Sequence, residues 1–213
     1  MRPLLTFNIY IWGVFIILIY IMMGFWKTSF FITHDLFYQS FSEQVDSESI
    51  DKFYSNYINN RWIGIVGIPL ITILRVVYTS IALLLGDFFS DNQIGFKACF
   101  NISIKAEFAF LLLALTSLIL IEFVWHIKTI DELSLVPFSL NHYWCNVNTP
   151  IWSKALLSYI SLWELIYIIL ITNFLGFYNM KSWYSNLLFT ITTYGIALLF
   201  WIILLTYLSI TLT

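Results

Sequence analysis

The chain has 213 residues, of which 60% are hydrophobic and only 10% charged, with a formal net charge of −2. Soluble domains carry about a quarter charged residues, so water is excluded as the main solvent of this surface and a bilayer takes its place. The slight acidity excludes a nucleic-acid partner, which would need a basic stripe. Cys99 and Cys145 lack the spacing of a metal ribbon or redox pair, so no cofactor is expected.

A spanning helix needs about 20 mostly apolar residues. Five runs qualify, at about 7–26, 62–85, 108–127, 151–177 and 183–208. Together they predict an all-α polytopic membrane protein, one domain over 1–213. The first run is too long for a signal-peptide core and no small-x-small cleavage site follows it, so a retained helix is expected. The loop over 27–61 holds five acidic residues, and Phe37, Phe41, Val45 and Ile50 recur in it at roughly helical spacing. An amphipathic helix and a solvated acidic loop both fit. The second run is interrupted by Pro69 and Arg75, and Gly64 and Gly67 precede the proline, where a helix can bend or approach a neighbour closely. The segment 87–106, with its stretch IGFKACFNISIK, reads as an amphipathic helix in the membrane interface. Glu107 opens the third run, where a carboxylate suits the helix dipole. Pro150 lies near the first turn of the fourth run. A few residues around YNMKS separate the fourth run from the fifth, which predicts an antiparallel hairpin.

Two charges fall inside these runs. A charge at bilayer depth costs about 2.5–3.5 kcal/mol on insertion scales unless paired or solvated. Arg75 lies thirteen residues past Trp62 and Glu164 thirteen past Ile151, on helices of the same direction. At 1.5 Å per residue both are about 20 Å from the same end, and opposite charges at matching depth invite an intramembrane pair. Three readings stay open: a salt bridge that sets helix register, a polar cavity in which Glu164 with Tyr167 and Asn173 handles an ion, a proton or a lipid headgroup, and an Arg75 that snorkels to the interface.

A second group collects at the far end of the third run. Glu122 and His126, four apart, share a helix face, and Asp131, Glu132 and His142 follow in the next loop. An interfacial hydrogen-bond network and a metal site both fit the residue types, but two ligands on one helix are too few to assign a metal, and none is assigned. No G-x-S-x-G, P-loop or H-E-x-x-H pattern occurs. Ser117 and His126 are nine residues apart on one helix, about 13 Å, too far to act as a nucleophile and base. No enzyme is expected.

From residue 105 onward, KAEFAFLLLALTSLILIEFVW, VPFSL, SLWELIYIILI and TTYGIALLFWIILLTYL resemble, in order, the Yip-type five-helix membrane proteins, most of all their Bacteroidota branch. Ala106, Glu107 and Phe108 match its A-E-F motif. Pro137, Ser139 and Leu140 match its P-x-S-L turn. The N-L-F-E-L-x-Y motif reads Ser161, Leu162, Trp163, Glu164, Leu165, Ile166, Tyr167, with Glu and Tyr kept and Asn and Phe replaced. Thr193, Tyr194, Gly195 and Trp201 match the last helix. The N-terminal half agrees only in layout. The resemblance implies five spans in a bacterial inner membrane, with the N-terminus cytoplasmic and the C-terminus periplasmic. Charge bias is silent, four Lys and Arg against five on the two sides. Eukaryotic relatives bind Rab GTPases, a function a bacterial chain cannot share. Two classes of function follow as expectations. One is a non-enzymatic integral subunit or assembly partner of a larger envelope complex, in protein export or transport, with membrane lipids and other integral subunits as partners. The other is a small transporter or lipid-handling protein working through Arg75 and Glu164.

Overall fold

The structure, a computed structural model, describes residues 9–90, 94–125, 127–144, 149–179 and 181–211. In chain order the helices are α1 (Ile9–Phe30), α2 (His34–Phe41), α3 (Ser47–Ser90), α4 (Phe96–Ala106), α5 (Phe108–Phe123), α6 (Ile130–Leu133), α7 (Leu140–Trp144), α8 (Ile151–Tyr159), α9 (Leu162–Asn179), α10 (Trp183–Thr190) and α11 (Ile196–Thr211), with a π-helical turn over Ile191–Gly195 between the last two. Five helices are long and apolar enough to cross a membrane, within Ile11–Phe30, Ser47–Ser90, Phe96–Phe123, Leu162–Asn179 and Trp183–Leu208. The chain is an all-α, multi-pass membrane protein.

Several boundaries differ from those expected. The second span is part of a helix of 44 residues, about 66 Å long at 1.5 Å per residue and roughly twice the hydrocarbon thickness. It runs unbroken through Pro69, and added Cβ atoms at Gly64 and Gly67 would meet nothing within 4 Å. The close approaches are elsewhere: a Cβ on Gly24 would lie 2.3 Å from Ile68 Cδ1, and one on Gly86 would lie 1.9 Å from Thr193 Cγ2. The third span begins at Phe96. The segment expected to lie in the interface is instead α4, which packs against α3 and α9 and buries Ala98, Cys99, Ile102, Ser103 and Ala106. Those small and apolar residues make a face narrow enough to enter the bundle. The polar positions Lys97, Asn101 and Lys105, spaced by four, lie off it.

The fourth run is two helices rather than one. Between α8 and α9 the backbone opens at Ile160 and Ser161 and pairs with the preceding loop: Leu140 N–H donates to Ile160 O (2.9 Å) and Leu162 N–H to Phe138 O (3.1 Å). Trp163 Nε1 locks the join from the side by donating to Pro137 O at 2.8 Å. Ser161 then starts α9, its hydroxyl accepting from Glu164 N–H at 3.3 Å.

One core cluster threads the bundle through Ile16, Tyr20, Leu83, Cys99, Ile102, Phe110, Trp163, Tyr167, Ile171, Leu175 and Tyr194. Outside it, α2 buries Leu36 and Phe37, and the Phe37 ring meets Tyr54 and Tyr57 of α3 at 5.4 and 5.5 Å. At the end of α1, Lys27 Nζ donates to Leu133 O of α6 at 2.6 Å. A charged hydrogen bond of this kind contributes about 1.5–3 kcal/mol. Lys27→Met is therefore expected to lower the thermal midpoint in detergent, and an unchanged midpoint would show that this tie carries no load.

Candidate functional site

One polar cluster in the core draws a residue from each of the five spans: Tyr20, Arg75, Glu107, Glu164 and Tyr194. Arg75 lies on α3, and its partner is Glu107, at the join of α4 and α5. Nε donates to Oε1 at 2.9 Å and Nη2 to Oε2, a two-pronged contact. Glu107 is 1% exposed, while Arg75 keeps 30% of its side chain exposed. The guanidinium also sits 3.9 Å above the centre of the Phe110 ring, one turn further along α5. From α1, Tyr20 donates its hydroxyl to the Glu107 backbone oxygen at 3.4 Å. That oxygen also accepts the N–H groups of Phe110 and Leu111, both at 3.1 Å.

The expected Arg75–Glu164 pair is therefore not the one formed. The two residues are level: each stands fifteen residues before the other end of its helix, Ser90 or Asn179. Depth alone does not choose a partner, and Glu107 takes both prongs of the guanidinium. Glu164, in the first turn of α9 and 8% exposed, instead accepts a hydrogen bond from Tyr194 Oη at 2.9 Å. The charges of Arg75 and Glu107 both act on Glu164 without touching it.

Tyr194 is delivered by the π turn. That turn packs on α3 at Gly86, where the helices come too close for a side chain. π turns inside helices are frequent at functional positions. Tyr167, one turn along α9 from Glu164, is fully buried between the Phe110 ring (4.9 Å) and the Tyr194 ring (5.1 Å), and donates its hydroxyl to Thr79 Oγ1 on α3 at 3.1 Å. Asn173 was expected beside it but lies on the exposed side of α9, where Oδ1 accepts from Trp183 Nε1 at 3.0 Å. Six residues past Tyr167 a helix has turned about 240° beyond a full circle. The α9 face that carries Glu164 and Tyr167 continues instead to Ile171 and Leu175.

Among the described residues, the members of the second predicted group do not come together. Glu122 and Asp131 are exposed. Glu132 closes a capping box with Thr129 and accepts from Lys128 N–H at 2.7 Å. His142 stacks on Trp125 with ring centres 5.0 Å apart. His126, like Cys145, lies outside the described residues. Among the described residues no three of His, Cys, Asp and Glu are placed to hold a metal ion.

Glu107, Tyr20 and Thr79 are the site residues that sequence reasoning missed. Glu107 was read as a helix-opening carboxylate because the third span was started at residue 108. Started at Phe96, that span carries Glu107 about 16 Å into the bundle, where a lone carboxylate calls for a cation. The residues on which the family resemblance rests also converge: Glu107, Glu164, Tyr167 and Tyr194 meet in the cluster, and Pro137 and Ser139 brace the start of α9. No family model, curated protein or solved structure matches this chain.

Proposed function

We propose that this chain is a non-enzymatic membrane transporter that binds a small cation at Glu164, in the centre of its helix bundle. The charge count of the cluster supports this reading. Two buried carboxylates face one guanidinium, and Arg75 gives its contacts to Glu107, so Glu164 has a phenol for company and no cation of its own. An uncompensated charge at this depth is costly, and a cation from outside the chain removes the cost. The setting agrees with that role. In many transporters, interrupted helices frame ion sites near the bilayer midplane, and Glu164 lies between the α8–α9 break and a π turn. Reconstituted into liposomes, the wild-type protein is expected to carry cation flux that Glu164→Gln abolishes while leaving the protein folded. Equal flux in the two would sink the proposal.

A second reading, an integral subunit of a larger envelope complex in export or transport, is favoured by the last span. Only 11% of its most apolar stretch is buried within the chain, and Leu199, Phe200, Ile203 and Tyr207 face outward, a surface that another spanning helix fits as well as lipid does. A native pull-down in mild detergent separates the readings, since the subunit reading expects a stoichiometric partner. We also carry forward as proposals the Yip-like assignment, the bacterial inner membrane and the cytoplasmic N-terminus, supported by the motif residues quoted above.

A further inference from the structure

We propose that the cation taken by Glu164 is a proton, so that the Glu164–Tyr194 pair alternates between a carboxylate and a carboxylic acid bonded to the same phenol. This rests on the cation-site reading above and names its ligand.

Charge and coordination both point that way. The groups that face Glu164 come from every element packed around it. The π turn contributes Tyr194, α3 contributes Arg75, the α4–α5 join contributes Glu107, and α9 itself contributes Tyr167. From α1, Tyr20 reaches Glu107 rather than Glu164. With both carboxylates ionised this set carries one excess negative charge, and one proton on Glu164 makes it neutral. Low-dielectric surroundings favour the neutral set.

A metal cation would need more oxygens than the site offers. Hard cations take roughly six oxygen ligands, whereas the Glu164 carboxylate has one side-chain hydrogen-bond partner, Tyr194 Oη, and among the described residues no three of His, Cys, Asp and Glu are placed to hold a metal ion. The Tyr167 hydroxyl, one turn along α9, is turned to Thr79 Oγ1 at 3.1 Å. A proton needs one oxygen. The pair also survives its arrival, because a phenol both donates and accepts. With Glu164 ionised, Tyr194 donates to Oε2. Once a proton from water has formed the O–H bond on Oε2, that O–H can donate to Tyr194 Oη and the phenol proton turns away. The O–H bond that breaks is the one in the hydronium ion that delivers the proton; that ion leaves as water, and no electron moves.

The test is infrared difference spectroscopy of the full chain in lipid across a pH series, with Glu164→Gln and Tyr194→Phe as variants. The expected result is a carboxylic-acid carbonyl band that titrates as one proton per chain, is missing from Glu164→Gln, and moves to higher frequency in Tyr194→Phe as its hydrogen bond is lost. A band that persists in folded Glu164→Gln, or that ignores Tyr194→Phe, would overturn the assignment to this pair. Should no acid band titrate while added sodium or potassium perturbs the Glu164 carboxylate bands, the proton is wrong and the cation site stands. No response to protons or to either metal would overturn both.

Discussion

Replacing Glu107 with leucine is expected to cost about 3–5 kcal/mol, the usual penalty for breaking a buried ion pair by deleting one partner. The damage comes from what is left behind. Arg75 lies level with the middle of the bundle, its guanidinium bonded through two nitrogens to Glu107. Glu164 makes no hydrogen bond to Arg75 and is held by Tyr194 instead. The thermal midpoint in detergent and the folded yield from membranes should both fall sharply. Removing both charges is far milder, because well-packed apolar substitutes often equal or exceed a buried pair in stability. Arg75→Met/Glu107→Met should thus recover most of the loss. Arg75→Met/Glu164→Met should not, since it strands Glu107, which is only 1% exposed. The reverse ranking of the two double variants would show that Arg75 pairs with Glu164 after all.

The second large effect is expected from a single methyl group. Gly86→Ala puts a Cβ 1.9 Å from Thr193 Cγ2, 3.0 Å from Thr193 Cβ and 3.2 Å from Phe189 Cε2. Thr193 cannot swing its methyl aside freely, because its hydroxyl donates to Phe189 O at 2.8 Å. Either α3 and the π turn separate or that bond breaks. Overpacking of this kind costs about 1–3 kcal/mol. The consequence reaches the site, since Tyr194 follows Thr193 in the chain and a displaced turn withdraws the phenol from Glu164. Gly86→Ala should therefore lower both the midpoint and the cation response, and adding Thr193→Ser, which deletes only the methyl, should restore both. Gly24→Ala serves as the control. Its Cβ would meet the tip of Ile68 at 2.3 Å, the far end of a flexible side chain that can move, so a much smaller loss is expected. Equal losses at the two glycines would rule out a special role for the α3–π-turn contact.

The five spans were legible because apolar length alone marks a membrane crossing, whatever packs against it. Helix ends were less so. The charges of 47–61 fitted a helix and a loop alike; these residues extend α3 as a helix in which Glu48 pairs with Lys52 one turn on. The polar stripe of α4 read as interface because composition does not say which face is turned inward. The site was half visible. Arg75 and Glu164 stood out as charges among apolar neighbours, and Tyr167 shares the helical face of Glu164. Their partners did not stand out, because depth along a helix gives a level and no direction around the bundle. Glu107 was hidden by a misplaced helix start. Tyr194 was visible as part of a motif, but the π turn that aims it at Glu164 leaves no periodic mark in five residues of ITTYG.

The length of α3 has a mechanical consequence. A continuous helix transmits bending from one end to the other, and this one reaches from the His34–Asp51 contact near its start, through the Arg75 level, to Gly86. Its one built-in weak point is Pro69, which deletes a backbone hydrogen bond within the rod. Beyond that joint, Arg75, Thr79 and Gly86 clamp the helix to the rest of the bundle. Ahead of it, Trp62, Ile63 and Val66 are exposed, while Ile50 is buried and Tyr54 and Tyr57 pack on Phe37 of α2. α3 is thus one continuous rod that joins the α2 contacts at its start to the charged centre and the π turn near its end.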